Sequence, residues 1–377
     1  MGAQHRAGRG VAGRCGGDRR RLLGWLAALP AFGLGLAGCA TPLPPASPLQ
    51  SLLADEQHGL PPADLPSPEA VLAIDEAMRR YLERRLRGLL AQNSPQRALV
   101  QALYARGELQ LDYDSGPTRT AREAFAARRG NCLSLVLMTA AFAQELGINV
   151  TFNQALIEDE WRREGGLVLR AGHVNLTLRA NGARWASTVT QGLMIDFLPT
   201  NDLAGLRTEP IEQATVLAMF YNNRAVELLG EDRTDAAYWH VRQALWLDPG
   251  HDGARNTLGV VHLRSGRSDL AERAYAQVLQ RRPDDLAALA NLASLHEAQG
   301  RLALAQPLRE RRRQLERALA DEAWKRSLKA WRRGDAESAE RALVQAEAIS
   351  ADETERVRYG GKLAWLRAQR GGGAAAL

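Results

Sequence analysis

Three residues whose side chains can together carry out nucleophilic catalysis follow one another along the chain. Cys132 is a candidate nucleophile, His173 a candidate general base, and Asp196 a candidate partner for the imidazole. A thiolate attacks carbonyl carbon, an imidazole accepts and returns the proton, and a carboxylate holds the ring in the correct tautomer. These residue types in this order predict chemistry on an amide or ester bond.

The position of Cys132 favours a reactive thiol. An apolar helix is predicted from Cys132 to about residue 146, after Gly130-Asn131. The first turn of a helix carries unpaired N–H groups and the positive end of the dipole, which favour a thiolate and can also bind an oxyanion. A second N–H for the oxyanion is expected from the 113–115 loop. The alternative is an inert core cysteine.

His173 and Asp196 each have a structural interpretation as well as a catalytic one. His173 lies in an apolar strand pattern, where a single histidine is often a packed core residue, and Asp196 can simply cap a turn. A buried carboxylate needs a partner, however, and an imidazole N–H is a suitable one. A metal site built from the same three residues lacks paired-ligand spacing, so neither a metal nor a cofactor is predicted.

The elements that must position these residues are α-helices followed by β-strands. Apolar spacing of three and four predicts helices before and at Cys132, and alternation predicts strands after it. The helices are predicted over 68–90, 94–106, 118–129 and 132–146, and the strands over 148–157, 167–179, 184–190 and 193–197. Asn181-Gly182 predicts a tight turn between the second and third strands. Helices followed by a consecutive antiparallel sheet indicate an α+β domain.

The motifs around the three candidate residues resemble the transglutaminase-like superfamily, which has a papain-like core. The match consists of Thr120–Phe125, Arg129–Leu135, Leu146-Gly147-Ile148, Gly172-His173 and Ile195-Asp196, and it covers roughly residues 100–200. The resemblance implies that the cysteine begins a helix packed on a small sheet, with the histidine and aspartate on neighbouring strands. No aromatic residue follows His173, and Phe-Leu-Pro follows Asp196, so the substrate class stays open. The superfamily includes proteases, amidases, transglutaminases and inactive members.

From about residue 219 the pattern becomes purely helical and repeats every 34 residues. The alanines Ala237, Ala271, Ala305 and Ala339 share one register, and Gly266, Gly300 and Gly334 share another. Small residues at this period resemble the tetratricopeptide repeat, in which paired antiparallel helices stack on one another. Two clear repeats are predicted, over 218–251 and 252–285, and two degenerate ones without the terminal proline, over 286–319 and 320–353, with a capping helix over 357–369. Such repeats imply a protein or peptide partner.

The formal charge of +6 on 377 residues is concentrated at the N-terminus. Removing the six arginines and one aspartate of residues 1–38 leaves 43 basic and 42 acidic residues. The near-neutral remainder argues against a nucleic-acid partner. Those 38 residues have a basic start and then a short apolar run that ends in Leu36-Ala37-Gly38-Cys39. This resembles the lipobox of bacterial lipoproteins, which implies lipidation of Cys39; the alternative is an uncleaved membrane helix.

The leader and the segment after it predict attachment to a membrane. With a signal peptide over 1–38 and a lipid on Cys39, the protein is expected in the cell envelope, and Ala40 favours the periplasmic side of an outer membrane. Residues 39–68 contain eight prolines, which predict an extended tether. Cys132 then remains as the single free thiol, and this is unusual for an exported protein.

These predictions define four segments and two functional hypotheses. The segments are 1–38, 39–68, an α+β transglutaminase-like domain over 69–215, and an all-α tetratricopeptide-repeat solenoid over 216–370. The first hypothesis is a lipid-anchored cysteine hydrolase or acyltransferase whose repeats bind a partner. The alternative is a non-enzymatic adaptor that keeps a vestigial transglutaminase-like domain.

Overall fold

The computed structural model describes most of the chain after residue 48. The described residues are 49–104, 109, 111–155, 160–164, 167–171, 173–179, 192–197, 208–350 and 352–372. The leader, Cys39, the predicted 184–190 strand and the Asn181-Gly182 turn lie outside them. Among the helices described, none is both long enough and apolar enough to span a bilayer.

Among the described residues, five α-helices precede the main sheet. They are α1 (Pro68–Leu72), α2 (Glu76–Leu90), α3 (Pro95–Tyr104), α4 (Ala121–Ala127) and α5 (Cys132–Glu145). The predicted 68–90 helix is divided in two because Asp75 starts a new helix, its carboxylate accepting the N–H of Met78 at 2.9 Å. Helix α4 begins three residues later than predicted, since Thr120 and Glu123 form a reciprocal cap.

The strands that the structure describes form one four-stranded antiparallel sheet and two smaller pairs. They are β1 (Asp112–Tyr113), β2 (Arg129–Gly130), β3 (Asn149–Ala155), β4 (Glu160–Glu164), β5 (Leu167–Ala171), β6 (Val174–Arg179), β7 (Leu193–Ile195) and β8 (Thr208–Ile211). The main sheet has the order β7-β6-β3-β8. The predicted 167–179 strand is two strands in different sheets, because β5 pairs with β4.

Helix α5 packs on the main sheet, against β6 and β3. Eleven consecutive residues of this helix, from Leu133 to Ala143, are buried, and so are Val174, Leu176 and Leu178 on β6. Alternation along the strand turns these three side chains to the same face, where an apolar helix removes them from water. The packing holds the N-terminus of α5 in place relative to the first residue of β6.

The rest of the described chain is helical. Its helices are α6 (Gln213–Gly230), α7 (Thr234–Leu247), α8 (Asp252–Arg264), α9 (Ser268–Arg281), α10 (Leu286–Ala298), α11 (Leu302–Arg332), α12 (Ala336–Ile349) and α13 (Glu353–Gly372). All four alanines of the 34-residue register are buried. Gly266, Gly300 and Gly334 have φ between 72° and 78°, the left-handed conformation that ends a helix with little strain when the residue is glycine.

The last two predicted repeats differ from the first two. Helix α11 is continuous over 31 residues and crosses the predicted boundary at 319/320. Pro249 and Pro283 follow α7 and α9, but no proline stands at the corresponding place near residue 317. Since no proline stands at this boundary, the second helix of one predicted pair continues into the first helix of the next. Pro307 lies inside α11, near its start, and does not end it.

One hydrophobic core connects the sheet and the first repeats. It runs from Leu52 through α5 and the sheet to α10, and a second, smaller cluster joins α11, α12 and α13. The described residues, from 49 onward, belong to one compact unit. The predicted boundary at 215/216 therefore falls inside a shared core, and the domain limits themselves stay predictions.

The residues that precede α1 differ from the prediction of a tether. Over 49–66 the chain lies on the repeat helices, with the Leu52 side chain fully buried and His58 almost so. Prolines prevent regular secondary structure, but they do not prevent packing when neighbouring side chains are apolar or can form hydrogen bonds.

The close crossing of α8 and α9 gives a stability prediction. A Cβ on Gly259 would lie 2.4 Å from the Tyr275 ring, which is fully buried. We expect Gly259→Ala to lower the free energy of unfolding by about 1–3 kcal/mol in urea denaturation, because the ring must move. Gly230→Ala is the matched control, since its Cβ would meet nothing within 4 Å. Equal stability of the two variants would contradict this account.

Candidate active site

Cys132 is the first residue of α5, as predicted, and Asn131 caps the helix. The Asn131 Oδ1 accepts hydrogen bonds from Ser134 N at 2.9 Å and Ser134 Oγ at 2.8 Å. The thiol is free and half-buried. A Cβ on Gly130 would lie 2.7 Å from the Ser134 Cβ, so glycine is required immediately before the cap. The two residues before the cysteine thus fix the start of the helix.

His173 and Asp196 lie at the same end of two neighbouring strands of the main sheet. His173 immediately precedes β6 and Asp196 immediately follows β7, and these strands pair antiparallel with Leu176 opposite Ile195. The Asp196 Oδ1 is 2.6 Å from His173 Nε2. The Asp196 side chain is fully buried, and that of His173 is 8% exposed. Burial strengthens an interaction between opposite charges by excluding water.

Cys132 also acts on the imidazole of His173, since both hydrogen bonding with the thiol and its charge favour the protonated ring. Since Nε2 is engaged by Asp196, Nδ1 is the nitrogen that remains for the thiol. Burial by itself lowers the pKa of His173, but the hydrogen bonds to Asp196 and Cys132, together with the charges of both partners, raise it to about 9. At neutral pH the ring therefore carries a proton between two groups that favour its charged form.

A row of polar side chains on β6 and β3 supports Asp196. The Asn175 Nδ2 donates to Asp196 Oδ2 at 3.0 Å, and the Asn175 Oδ1 accepts from Asn153 Nδ2 at 3.0 Å. Asn153 also donates to Thr177 Oγ1 at 3.0 Å. All three residues are buried. Asn153 holds the side-chain amide of Asn175 in place, and Asn175 in turn fixes the Asp196 carboxylate on the oxygen that does not contact His173.

The loop before α4 links the Cys132 helix to the first repeat helix. The Asn131 Nδ2 donates to Thr118 Oγ1 at 2.9 Å, and the Thr118 N–H donates to Glu227 Oε1 on α6 at 2.7 Å. The other Glu227 oxygen accepts from Arg224 Nη1. Chain segments separated by 109 residues are joined in this way next to the cysteine.

The structure therefore brings together all three residues that the sequence indicates. It adds Asn175 and Glu227, to which the sequence assigns no role. Alternation places Asn175 on the same strand face as His173, a signal that could have found it. No sequence pattern points to Glu227, because its partner is the backbone N–H of a distant loop residue.

Within the part of the chain that the structure describes, no three or more His, Cys, Asp or Glu side chains are arranged to hold a metal ion.

A cavity of about 750 Å³ lies between α2 and α4, with Tyr81, Phe125, Arg80 and Arg84 in its lining. It is separate from Cys132, His173 and Asp196, none of which lines it.

The described residues thus define a protein that combines a thiol, an imidazole and a carboxylate beside a helical repeat region. The family model described as "Tetratricopeptide repeat" matches residues 228–292. This confirms the predicted repeats for that part of the chain, from the end of α6 into α10. Tetratricopeptide repeats generally mediate binding between proteins.

Comparison with whole proteins gives no further information on function. A search of curated proteins finds no match to this chain. Among solved structures, a mutant of MamA is similar at 19% sequence identity, over 27% of this chain and 82% of its own, with a TM-score of 0.24. A likeness this low carries no argument about function.

The raised pKa of His173 can be tested by removing the charge of Asp196. We expect Asp196→Asn to lower that pKa from about 9 to near or below its ordinary value of about 6.5, because the amide cannot stabilise the imidazolium. Titration of the histidine ring resonances by NMR measures the change. Glu145→Gln, at the other end of α5, is the control and should leave the titration unchanged. A His173 pKa that stays near 9 in Asp196→Asn would contradict the assigned cause.

Proposed function

We propose that this protein is a cysteine hydrolase or acyltransferase that acts on an amide or ester bond, with Cys132, His173 and Asp196 as its catalytic residues. The observation that carries the proposal is the hydrogen bond of 2.6 Å between His173 and the buried Asp196, with Cys132 as the other partner of the ring. An imidazole so oriented can take the thiol proton and hold it near the reacting atoms.

In the first step the Cys132 sulfur attacks the carbonyl carbon of the substrate. The carbonyl oxygen becomes an oxyanion, which the backbone N–H of Cys132 can bind because the first N–H groups of a helix have no intrahelical acceptor. When the tetrahedral intermediate collapses, the C–N or C–O bond breaks and His173 gives its proton to the leaving amine or alcohol. A thioester to Cys132 remains.

In the second step a nucleophile releases the acyl group. Water, or an acceptor amine or alcohol, gives a proton to His173 and attacks the thioester carbon. Collapse of the second intermediate breaks the C–S bond and returns the thiolate and the imidazolium. Asp196 stays charged throughout and stabilises the protonated ring. Water as the nucleophile makes the reaction a hydrolysis, and any other nucleophile makes it a transfer.

The finer assignment to the transglutaminase-like superfamily belongs to the same proposal. It is supported by a cysteine at the start of a buried helix, by an antiparallel sheet packed on that helix, and by a histidine and an aspartate at the same end of neighbouring strands.

We further propose that Cys39 carries a lipid that anchors the protein in the cell envelope, on the outer-membrane side of the periplasm. The Cys-ending apolar leader motivates this, and metabolic labelling with a fatty acid, absent in Cys39→Ala, tests it.

The alternative is a non-enzymatic adaptor, in which the repeats bind a partner and the three residues are structural. The match over residues 228–292 favours an interaction role. The two hypotheses differ in the reactivity of the thiol, since an adaptor has no reason to hold an imidazolium next to it.

The enzyme hypothesis predicts fast alkylation of Cys132. With iodoacetamide at about pH 6 we expect Cys132 to react faster than glutathione, and His173→Ala to slow the reaction roughly tenfold or more, because the imidazolium favours the thiolate. Cys132→Ala provides the background, and His296→Gln in the repeats is the matched histidine control. Mass spectrometry of the tryptic peptide locates the label.

The same samples separate an enzyme from a merely reactive protein. Incubation with an activated ester should give a transient acyl group on Cys132 in the natural chain and none in His173→Ala. If Cys132 reacts no faster than glutathione and His173→Ala has no effect, the adaptor hypothesis stands.

A further inference from the structure

The segment of residues 49–60 lies on the repeats much as a bound peptide would. It contains two short 3-10 turns, Gln50–Leu52 and Asp55–Gln57, and it contacts α7, α8 and α9. Leu52 is fully buried in the common hydrophobic core. Side chains of the repeats form hydrogen bonds with both its backbone and its side chains.

Asp55 is the acidic contact of this segment. Its Oδ1 accepts from the Tyr238 hydroxyl at 2.6 Å and from Arg242 Nε at 2.8 Å, while Oδ2 is 3.0 Å from the same Arg242 nitrogen. The Ala54 N–H donates to the Tyr238 oxygen at 2.7 Å. Two side chains of α7 therefore bind both the carboxylate and the adjacent backbone. Recognition of a carboxylate by arginine is strong because the hydrogen bond is charge-assisted.

His58 is the second polar contact, and its ring is bound on both nitrogens. Nδ1 is 2.8 Å from Asp235 Oδ1, and Nε2 is 2.6 Å from Arg267 Nη1. A guanidinium can only donate, so Nε2 is the acceptor and Nδ1 carries the hydrogen. The ring stacks on Tyr238 with centroids 3.9 Å apart and planes 8° from parallel.

Two further repeat side chains bind the backbone of the segment. The Trp239 Nε1 donates to the His58 carbonyl at 3.1 Å, and the His262 Nε2 donates to the Leu52 carbonyl at 2.8 Å. Hydrogen bonds to main-chain groups bind a peptide regardless of its sequence, whereas the pockets for its side chains select it.

We propose that this face of the repeats is a peptide-binding site, that residues 49–60 are its intramolecular ligand, and that it accepts a segment of the same chemistry from another protein. The docking face consists of Asp235, Tyr238, Trp239, Arg242, His262 and Arg267. The segment that it fits has an aliphatic side chain, a carboxylate three residues later and an imidazole three residues after that, as Leu52, Asp55 and His58 do. The proposal does not depend on catalysis at Cys132.

Covalent attachment explains why the site is occupied by the chain's own segment. A ligand on the same chain has an effective concentration in the millimolar range, so a free peptide with equal contacts competes poorly. Loss of the Asp55 and His58 contacts in the chain should therefore expose the docking face to a peptide that retains them.

The contacts of His58 also make docking dependent on pH. The charged and titratable groups that face the ring are Asp235, Arg267, Tyr238, Asp55 and His262. Burial lowers the pKa of docked His58, and the charge of Arg267 adds to this against the opposing effect of Asp235. The docked state thus binds fewer protons than the released state. Docking is complete above the ordinary histidine pKa of about 6.5 and weakens as the pH falls below it.

The binding experiment uses a fluorescein-labelled peptide with the sequence of residues 49–60 and full-length protein. Fluorescence anisotropy at about pH 7.5 measures its Kd for the natural chain and for the double variant Asp55→Ala/His58→Ala. We expect the double variant to bind the peptide at least about tenfold more tightly, since its own segment no longer competes. A peptide that carries the same two alanines should not bind either protein.

The comparison of the natural-sequence peptide with the peptide that carries the two alanines uses one and the same protein, so their difference in Kd does not depend on how well a protein variant folds. Equal binding of the two peptides to the double variant would overturn the proposal, because the docking face would then lack the specificity assigned to it. Failure of the natural-sequence peptide to bind a double variant that retains its far-ultraviolet circular dichroism would overturn it as well. Adding Arg242→Ala to the double variant should weaken binding at least about tenfold.

The pH arm compares the natural chain with His58→Gln. Amide hydrogen exchange of residues 52–58, corrected for intrinsic rates, should show loss of protection in the natural chain between about pH 7.5 and pH 5. In His58→Gln the protection should not change with pH, because glutamine does not titrate. An identical pH response of both proteins would contradict the role of His58.

Discussion

The buried carboxylate of Asp196 imposes the strictest physical requirement on the structure. An ionised group without solvent contact is stable only when hydrogen bonds and an opposite charge replace water. His173 supplies the charge and one hydrogen bond, and Asn175 supplies another. The sheet must therefore bring the start of β6 next to the end of β7, and the imidazole in turn must face the start of α5.

The repeat helices also help to hold the start of the Cys132 helix in place. Glu227 on α6 accepts the N–H of Thr118, whose hydroxyl accepts from the cap of the Cys132 helix. The shared core continues from α5 into α6 and beyond. Direct hydrogen bonds therefore connect α6 to the loop beside the thiol.

The helix pairs depend on small residues at their crossings and on left-handed glycines at their turns. These features recur every 34 residues, and this periodicity is what makes the repeat region recognisable without coordinates. The same helices also present Tyr238, Trp239 and Arg242 to the N-terminal segment. Tyr238 serves both packing and recognition, because its ring is fully buried in the core and its hydroxyl group forms hydrogen bonds with Asp55 and Ala54.

The sequence by itself determined the helix that begins at Cys132 and the repeat period, because short-range spacing and capping specify them. It also indicated Cys132, His173 and Asp196, through their residue types, their order and the motifs around them. It did not determine the docking of residues 49–60, the β4–β5 pair, the continuous α11, or the contacts of Asn175 and Glu227. The β4–β5 pair and the continuous α11 are local, but their residue patterns alone do not distinguish one long strand from two or one long helix from two. The docking and the contact of Glu227 depend on partners far away in the chain, such as Asp55 with Arg242, 187 residues apart. Only the tertiary structure brings such groups together, because composition records which side chains can bind and packing decides which of them meet.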